Sequence, residues 1–391
     1  MQNRAGAYVP HLSGELRYRY FLPTPLPPNP PLIIDDEMAS LLARASLSVG
    51  QLEGVSRQLP STNLFVSMYV RKEALLSSQI EGTQATLDDI LDPHRAANVN
   101  LNVAEVVNYI KASHYATNRL KELPLCNRLL RETHAVLMSG LRGNEKDPGQ
   151  FRRSQNWIGP AGGTLKTAIF IPPIPEEMNS AMSNLEKYMN ESDGLHALIK
   201  AALLHYQFET IHPFLDGNGR VGRLLIQLFL MSQGLLSYET LYISYFLKRS
   251  RVEYYDRLTE VRRTGNFEQW VKFFLLALDE SARDAIDSMG EITLLHRQDQ
   301  KVIESTGRSA KTLAKVFEYL LDHPIIDIGT TGKVLGLAYN TIAKAVETLV
   351  DMGVLAQTDN VRRNRVFAYE NYLKILRRGT ELELHGSEVE S

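Results

Sequence analysis

Apolar residues recur with a helical period along most of the chain after Asp36. In the segment 64–80, the large apolar side chains fall near a period of 3.6 residues, and Gly82 then offers a stop for the helix. These side chains are Phe65, Met68, Tyr69, Leu75, Leu76 and Ile80. The same period predicts helices over 103–122, 126–140, 176–191, 194–210, 219–234, 250–264 and 266–288. The pattern therefore predicts an all-α protein.

Two segments depart from the helical pattern. The segment Lys166–Pro173, which reads KTAIFIPP, follows the turn-rich GPAGGT and predicts a short β-hairpin or flap. The first 35 residues are dense in proline, which excludes a helix interior. We expect an extended arm or a polyproline-type linker there.

The pattern changes after about residue 300. Helical segments at 310–321 and 341–355 flank GTTGKVLGL and a turn at AYN, and 356–369 then reads as two short strands. Helix, helix, turn, helix and a two-stranded wing is the order of elements in a winged helix-turn-helix domain.

Length and composition narrow the class of protein. A chain of 391 residues is long enough for two or three domains. The net charge of −2 argues against general attraction to nucleic acid or anionic membrane, but it leaves room for a local basic patch. Cys126 is the sole cysteine, which excludes an intrachain disulfide and a thiolate metal cage. Because the sequence contains neither a long apolar run nor a signal-peptide pattern, we expect a cytoplasmic protein.

The segment HPFLDGNGRVGR, residues 212–223, places polar groups and glycines between two apolar helical stretches. Its proline ends the first helix, so the loop lies at the N-terminus of the second. Backbone N–H groups of Gly217 and Gly219, together with the helix dipole, make an anion site. Arg220 and Arg223 share a helical face and add donors suited to phosphate oxygens.

Two further groups in this loop point to chemistry on a bound nucleotide. Asp216 is a hard oxygen ligand beside the anion site, which is the usual arrangement for Mg2+ that bridges phosphates. His212 lies at the edge of the loop, where it can take a proton from a hydroxyl. The alternatives are a structural histidine, an ordinary DGNG turn, and a zinc site with His205, whose helical register the proline breaks. The joint occurrence of these groups favours a nucleotide phosphate site, and the missing GxxxxGK[ST] excludes a P-loop.

These twelve residues match the Fic-domain signature HPFx[D/E]GNGRxxR at every defined position, so the chain resembles the Fic family of AMP transferases. The resemblance implies that AMP moves from ATP, with Mg2+, to a Ser, Thr or Tyr hydroxyl of a target protein. Self-modification and a homodimer are further expectations. In this interpretation His212 is the general base and Asp216 holds the Mg2+.

The resemblance also implies a set of nucleotide contacts. Asn218 and the backbone of Gly217 and Gly219 would bind the α- and β-phosphates, and Arg220 and Arg223 the outer phosphates. The predicted nucleotide-binding residues are Glu81, Asp216, Gly217, Asn218, Gly219, Arg220, Val221, Gly222, Arg223 and Tyr255.

Three other segments extend the resemblance. FRRSQNWIG, residues 151–159, and AIFIPP, residues 168–173, are similar to the family's flap, which aligns a target segment by strand addition. The predicted flap residues are Thr167, Ala168, Ile169 and Phe170. RVEYYDRL, residues 251–258, is similar to the adenine-side segment, with Tyr255 as the contact. Plain core packing is the alternative for these segments.

A built-in inhibitor is predicted near residue 80. SSQIEG, residues 77–82, fits the family's inhibitory pattern [S/T]xxxE[G/N], with Ser77, Glu81 and Gly82 at its defined positions. A carboxylate in the last helical turn is disfavoured by the helix dipole by about 0.3–1 kcal/mol, which suggests a nearby cation. The resemblance implies that this cation is Arg223 and that the pair blocks the γ-phosphate position. The alternative is a solvated glutamate at a helix end.

We therefore expect an N-terminal inhibitory region (1–100), a Fic catalytic core (101–290) and a winged-helix domain (305–378). Basic residues of the predicted wing, Arg362, Arg363 and Arg365, are consistent with DNA contacts, whereas Glu347 and Asp351 favour a protein-interaction module. The alternatives to AMP transfer are removal of AMP, transfer of another phosphate-bearing group, and a DNA-binding regulator whose Fic core senses nucleotide.

Overall fold

The computed structural model describes residues 3–14, 17–58, 62–92, 100–140, 146–160, 162–358 and 365–382. Within these ranges the protein is mainly helical, which confirms the prediction from the apolar period. The helices are α1 (Asp36–Gln58), α2 (Thr62–Ile80), α3 (Leu87–Leu91), α4 (Leu101–Arg119), α5 (Asn127–Leu137), α6 (Pro175–Asn190), α7 (Ala197–Ile211), α8 (Asn218–Ser232), α9 (Ser244–Arg249), α10 (Arg251–Thr264), α11 (Phe267–Glu304), α12 (Ala310–Leu320), α13 (Ile328–Leu335), α14 (Tyr339–Asp351) and α15 (Glu370–Arg377). The strands are β1 (Gly6–His11), β2 (Tyr18–Pro23), β3 (Ile325–Asp327), β4 (Ala356–Gln357) and β5 (Val366–Ala368).

Helix α7 forms the centre of the core. Every residue from Leu198 to Ile211 is buried, because α6, α8 and α11 pack against different sides of the helix. The Trp270 indole of α11 donates a hydrogen bond to the Ala202 carbonyl at 2.8 Å. This packing fixes the end of α7, where the motif loop begins. Among the described helices, none is long and apolar enough to cross a membrane.

The N-terminal segment is a β-hairpin, which the sequence analysis did not predict. Strands β1 and β2 pair antiparallel from Gly6 opposite Pro23 to His11 opposite Tyr18. The Phe21 amide of β2 donates a hydrogen bond to the Ile171 carbonyl at 2.8 Å. The arm is extended as expected, but a partner strand and the predicted flap segment hold it in place.

The predicted flap is a short hairpin closed by one antiparallel bridge between Ile158 and Phe170. The Ile158 amide donates to the Phe170 carbonyl at 2.8 Å, and the Ile169 amide donates to the Ile158 carbonyl at 2.8 Å. Arg262 stacks on the Phe170 ring, with 3.9 Å from its guanidinium carbon to the ring centroid. The small hairpin is confirmed, although its paired part is shorter than the segment 166–173.

The C-terminal region contains the helices and strands that the sequence predicts. Strand β5 pairs antiparallel with both β3 and β4, after the helices α12 to α14. Helix α11 extends to Glu304 rather than ending near 288, since Ile292 and Ile303 continue its buried face. The sequence analysis did not predict α15. The assignment as a winged helix stays a prediction, and Arg362 and Arg363 lie outside the described residues.

The C-terminal region contacts α2 at two points. Asp322 accepts hydrogen bonds from Ser67 at 2.7 Å and from Arg71 at 2.9 Å. Farther along the helix, the Gln79 side chain donates to the Thr380 carbonyl at 3.0 Å. The region is therefore fastened to the helix that carries the predicted inhibitory residues.

Candidate functional site

The motif loop joins α7 to α8 through two residues with left-handed backbone. His212 follows the end of α7 with φ 51° and ψ 60°, and Gly217 precedes α8 with φ 75°. The Asn218 side chain closes the loop, because its amide accepts from and donates to the backbone of Phe214, both at 2.8 Å. The ring of the buried Phe214 stacks on His134 with 3.8 Å between centroids. The loop is therefore held by its own side chains, and the predicted phosphate contact of Asn218 stays a prediction.

His212 lies where a neutral imidazole is favoured. Burial, helped by the nearby cations Arg152 and Arg262, lowers the pKa of the ring to about 4. Its Nδ1 atom is buried and has no hydrogen-bond partner among the described residues. A neutral imidazole can accept a proton at neutral pH, which is the state that a general base requires.

The Asp216 carboxylate is surrounded by positive groups. One oxygen accepts a hydrogen bond from the Gly217 amide at 2.6 Å and lies 3.6 Å from the Arg220 guanidinium. The other accepts from the Lys146 ammonium at 2.6 Å. Burial alone would raise the pKa of this carboxyl, but these partners lower it below its ordinary value. A carboxylate that already binds one cation fits the role of a Mg2+ ligand beside phosphate oxygens.

Glu81 contacts Arg223, as the family resemblance implies. The carboxylate accepts a hydrogen bond from the arginine Nη2 at 2.7 Å. The hydroxyl and the carbonyl oxygen of Ser77 accept two further hydrogen bonds from Arg223, both at 2.8 Å. Burial would lower the pKa of this arginine, whereas Glu81 raises it above its ordinary value. Arg223 is thus a fully buried cation whose partners come from the end of α2.

Glycines on both sides of this ion pair allow the approach. Gly82 ends α2 with φ 98°, which confirms the predicted stop and leaves Glu81 in the turn just after the helix. A Cβ atom at Gly219 would collide with the Glu81 carboxylate. The missing side chain at Gly219 therefore brings the carboxylate against the first turn of α8.

Arg220 differs from its neighbour because much of its guanidinium lacks a partner. The side chain is buried, and its Nη2 atom contacts the Met138 sulfur at 3.9 Å as well as Asp216. Its Nε and Nη1 atoms have no hydrogen-bond partner within the described part of the chain. Buried unpaired donors cost about 1–3 kcal/mol, and more when the group is charged. Such donors fit an anion that is bound only during function.

Three predicted nucleotide-binding residues lie on the same helix or beside it. Val221 is buried in the core, and a Cβ atom at Gly222 would collide with Glu209 of α7. Tyr255 is 39% exposed, and its ring faces the Arg251 guanidinium at 5.8 Å. Tyr255 is therefore partly accessible to a ligand, whereas Val221 is not. The nucleotide contacts of all three stay predictions.

His205 fastens α7 to α8. Its Nδ1 atom lies 2.9 Å from the Gly222 carbonyl, which can only accept, so Nδ1 carries the proton. Its Nε2 atom then accepts from the Tyr254 hydroxyl at 2.8 Å. Both ring nitrogens are therefore used inside the core.

The predicted flap residues lie beside the motif loop. Phe170 is buried against Arg262, while Ile169 is 76% exposed at the edge of the hairpin. Thr167 makes a turn within the hairpin, since its amide donates to the Thr164 carbonyl at 2.9 Å. The docking of a target strand on this hairpin stays a prediction.

Several residues at this site have roles that the sequence pattern does not reveal. Lys146 comes from a loop about 70 positions before Asp216, and Glu209 is a buried acid within an apolar helix. Arg152 lies inside the predicted flap segment 151–159, but its Nε atom donates a hydrogen bond to the His212 carbonyl at 3.0 Å. His134 also contacts the loop, through the Asp216 carbonyl at 3.0 Å. Of these residues, only Arg152 stands out in the sequence, because it belongs to a run of two arginines at 152–153.

Comparisons with known proteins place the site in a family. Residues 39–118 match the family described as Fic/DOC family N-terminal, and residues 124–230 match the Fic/DOC family. The motif loop lies within the second match.

Relatives of known name carry the same family name. The chain is 36% identical over 198 residues to protein adenylyltransferase Fic of Drosophila mojavensis, which covers 50% of this chain and 34% of that protein. It is 35% identical over 127 residues to the Aedes aegypti protein of the same name, covering 32% of this chain and 22% of that one. The chain thus spans about a third or less of these two relatives.

A Fic family protein from Desulfovibrio desulfuricans G20 has the same fold, with a TM-score of 0.56 and 20% identity. The superposition covers 87% of this chain and 97% of that structure. The likeness concerns the fold alone. The family assignment rests on the two family matches, the named relatives and the motif in residues 212–223, which identify this chain as a Fic-domain protein.

Proposed function

We propose that this protein transfers AMP from ATP to a hydroxyl side chain of a target protein. The observation that carries the proposal is the motif loop itself, in which buried unpaired donors of Arg220 lie on the same loop as the neutral His212 imidazole. The first group fits phosphate oxygens, and the second fits a proton acceptor. Relatives that bear the name protein adenylyltransferase support the same reaction.

The reaction follows from these groups. The His212 imidazole takes the proton of the target hydroxyl, and the hydroxyl oxygen forms a bond to the α-phosphorus of ATP. The bond to the β-phosphate oxygen breaks, and pyrophosphate leaves. Arg220 and the N-terminus of α8 hold the phosphates and stabilise the charge that develops. Mg2+ bound by Asp216 would neutralise charge on the phosphates.

The contact between Glu81 and Arg223 suggests a resting state that does not transfer AMP efficiently. The carboxylate lies where the arginine would otherwise bind an outer phosphate, and a second anion beside it would be repelled. Release of Glu81 would free Arg223 for the γ-phosphate. Inhibition by an internal carboxylate is therefore part of the proposal.

The partners follow from the reaction. They are ATP and a target protein that presents a Ser, Thr or Tyr hydroxyl, and the exposed flap edge near Ile169 is the proposed docking strand. Self-modification, a homodimer, and DNA binding through the proposed winged helix are further hypotheses. A cytoplasmic location is an expectation from the sequence.

Incubation with Mg2+ and ATP labelled at the α-phosphorus tests the transfer. We expect label to move to protein, whereas ATP labelled at the γ-phosphorus should leave protein unlabelled. Substitution of the proposed base, His212→Ala, should reduce transfer by about 10²–10⁴ while ATP affinity stays nearly intact. His114→Ala, at an exposed histidine of α4, is the matched control and should behave like wild type.

The same assay separates the alternatives. An enzyme that removes AMP should release label from modified protein when ATP is absent. A nucleotide-sensing regulator should bind ATP and leave all label free. Full label transfer by His212→Ala would overturn the assignment of the base.

A further inference from the structure

Arg152 is a buried arginine whose partners are backbone carbonyls. Its side chain is 1% exposed, and it forms no ion pair with a carboxylate within the described ranges. Burial lowers its pKa to about 10, so the guanidinium stays charged at neutral pH. Keeping a buried charge without a counter-ion is costly unless its donors are well bonded. A position that tolerates this cost has a specific structural task.

The carbonyl partners of Arg152 come from two different parts of the site. The Nε atom donates to the His212 carbonyl at 3.0 Å, and the Nη2 atom also reaches the Ile211 carbonyl at 3.5 Å. The same Nη2 donates to the carbonyl of Pro173, at the end of the flap segment. The Arg152 amide donates to the Pro213 carbonyl at 2.9 Å. One side chain therefore ties the backbone of the proposed base to the end of the flap.

The backbone of His212 needs such support. Its φ of 51° lies in the left-handed region, which is unfavourable for a residue other than glycine. Asn156, also from the flap segment, donates to the same His212 carbonyl at 3.3 Å and to the Phe214 carbonyl at 2.8 Å. Because the backbone turn aims the imidazole, these donors decide where the ring points.

Arg152 also acts on the charge of the ring. The charged groups that face His212 are the cations Arg152 and Arg262 and the carboxylate Glu81. Both cations favour the neutral imidazole, after the larger effect of burial, whereas Glu81 opposes them. The arginine therefore supports both the orientation and the protonation state that a base requires.

We propose that Arg152 is a positioning residue for AMP transfer, which holds the His212 turn and the end of the flap as one unit. A target strand docked on the flap would then meet a base that is already aimed at its hydroxyl. The proposal rests on the proposed function, since it assigns a task to a residue that acts through the proposed base. In this role Arg152 affects the transfer step itself, whereas a residue that only stabilises the core would affect folding alone.

The test uses the full chain with Glu81→Gly, so that the inhibitory carboxylate does not mask the effect. Arg152→Gln should lower kcat/KM for the protein target by roughly 10², the loss expected when reacting groups are misplaced by about 1 Å. The Kd for ATP should change by less than about threefold, because Arg152 forms no hydrogen bond to Arg220 or Arg223, the arginines proposed to bind the phosphates. Arg152→Lys should recover part of the loss, since a lysine keeps the charge but not the planar fork.

Arg153→Gln is the matched control, because it removes the same charge from an exposed neighbour. It should leave kcat/KM unchanged. An equal effect of the two glutamine variants would overturn the proposal, and so would an equal loss of ATP affinity and transfer in Arg152→Gln. Thermal unfolding shows whether each variant folds. If Arg152→Gln does not fold, the contrast between Arg152→Lys and Arg153→Gln decides.

A second readout does not depend on transfer. NMR titration of the His212 ring should show a higher pKa in Arg152→Gln than in the parent, and no change in Arg153→Gln. The acidic limb of kcat/KM should move to higher pH by the same amount. An unchanged His212 titration would overturn the proposal, whereas a parent that shows this titration but no transfer would sink only the proposed function.

Discussion

Two arginines near the N-terminus of α8 have opposite environments. Arg223 is bonded by the Glu81 carboxylate and by two oxygens of Ser77. Arg220, three residues earlier, is just as buried, yet its Nε and Nη1 atoms have no partner among the described residues. Arg223 is thus bonded to the protein's own carboxylate, whereas Arg220 keeps unused donors.

Under the proposed function, this difference would let one binding site be complete and inhibited at the same time. Helix α8 presents both guanidinium groups, so the site needs no rearrangement of its own elements to accept phosphates. In the proposed inhibition, only the turn after α2 would have to move, because it carries Glu81 to Arg223. The C-terminal region contacts the same helix through Asp322 and Thr380.

The largest expected effect comes from removing the carboxylate partner of Arg223, so that both arginines have donors available for phosphate. Glu81→Gly removes the carboxylate from Arg223, which leaves the arginine free for the γ-phosphate. We expect AMP transfer to rise by roughly 5–150-fold, the range that a coupling of about 1–3 kcal/mol produces. The measurement is label transfer from α-labelled ATP at equal protein and Mg2+ concentrations. The double variant Glu81→Gly with Arg223→Ala should lose the gain, and an unchanged rate in the single variant would mean that Glu81 is an ordinary surface residue.

The two arginines should also differ in what they contribute to the resting fold. Arg223→Ala removes charged hydrogen bonds and should lower the free energy of unfolding by about 1.5–3 kcal/mol. Arg220→Ala removes donors that lack partners, so we expect a loss below about 1 kcal/mol. Denaturant unfolding without nucleotide measures both values. In the Glu81→Gly background, both substitutions should weaken ATP binding. Equal losses of unfolding free energy without nucleotide would contradict the comparison.

A smaller effect concerns the cation at Asp216. Lys146→Ala removes the ammonium that competes with Mg2+ for the carboxylate, so transfer should reach half its maximum at a lower Mg2+ concentration. Because the pair is partly exposed, we expect a shift of about two- to fivefold, which corresponds to about 0.4–1 kcal/mol. Lys166→Ala, at an exposed lysine of the flap segment, serves as the control. A Mg2+ requirement that rises in Lys146→Ala would show that the lysine assists the metal instead.

The smallest expected effect is a pH dependence of stability. Burial raises the pKa of Glu209 to about 7, against the opposing effect of Arg223. The folded state therefore holds its proton over a pH range where the unfolded chain has lost it, and stability falls as pH rises from about 4.5 to about 7. Glu209→Gln should raise Tm by a few degrees at pH 8 and leave it unchanged at pH 4. An equal change at both pH values, or the same change in the exposed control Glu191→Gln, would contradict this account.

The sequence by itself determined most of the helices and the motif loop. Apolar periodicity is a local property, so the positions of α7 and α8 and the stop at Gly82 follow from neighbouring residues. The loop's glycines, its proline and its charged groups are also local, which is why the sequence predicted an anion site at the start of α8. The pairing of Glu81 with Arg223 came from the family resemblance, and the 2.7 Å contact agrees with it.

Only the tertiary structure decided which distant residues meet in the site. Lys146, Arg152 and Glu209 take their roles from contacts across many residues or from burial that their own neighbours do not reveal. The N-terminal hairpin was missed for the same reason, since the hydrogen bond of Phe21 to Ile171 joins segments 150 positions apart. A local pattern fixes the conformation of a segment, but its chemistry depends on the charges and carbonyls that folding brings beside it.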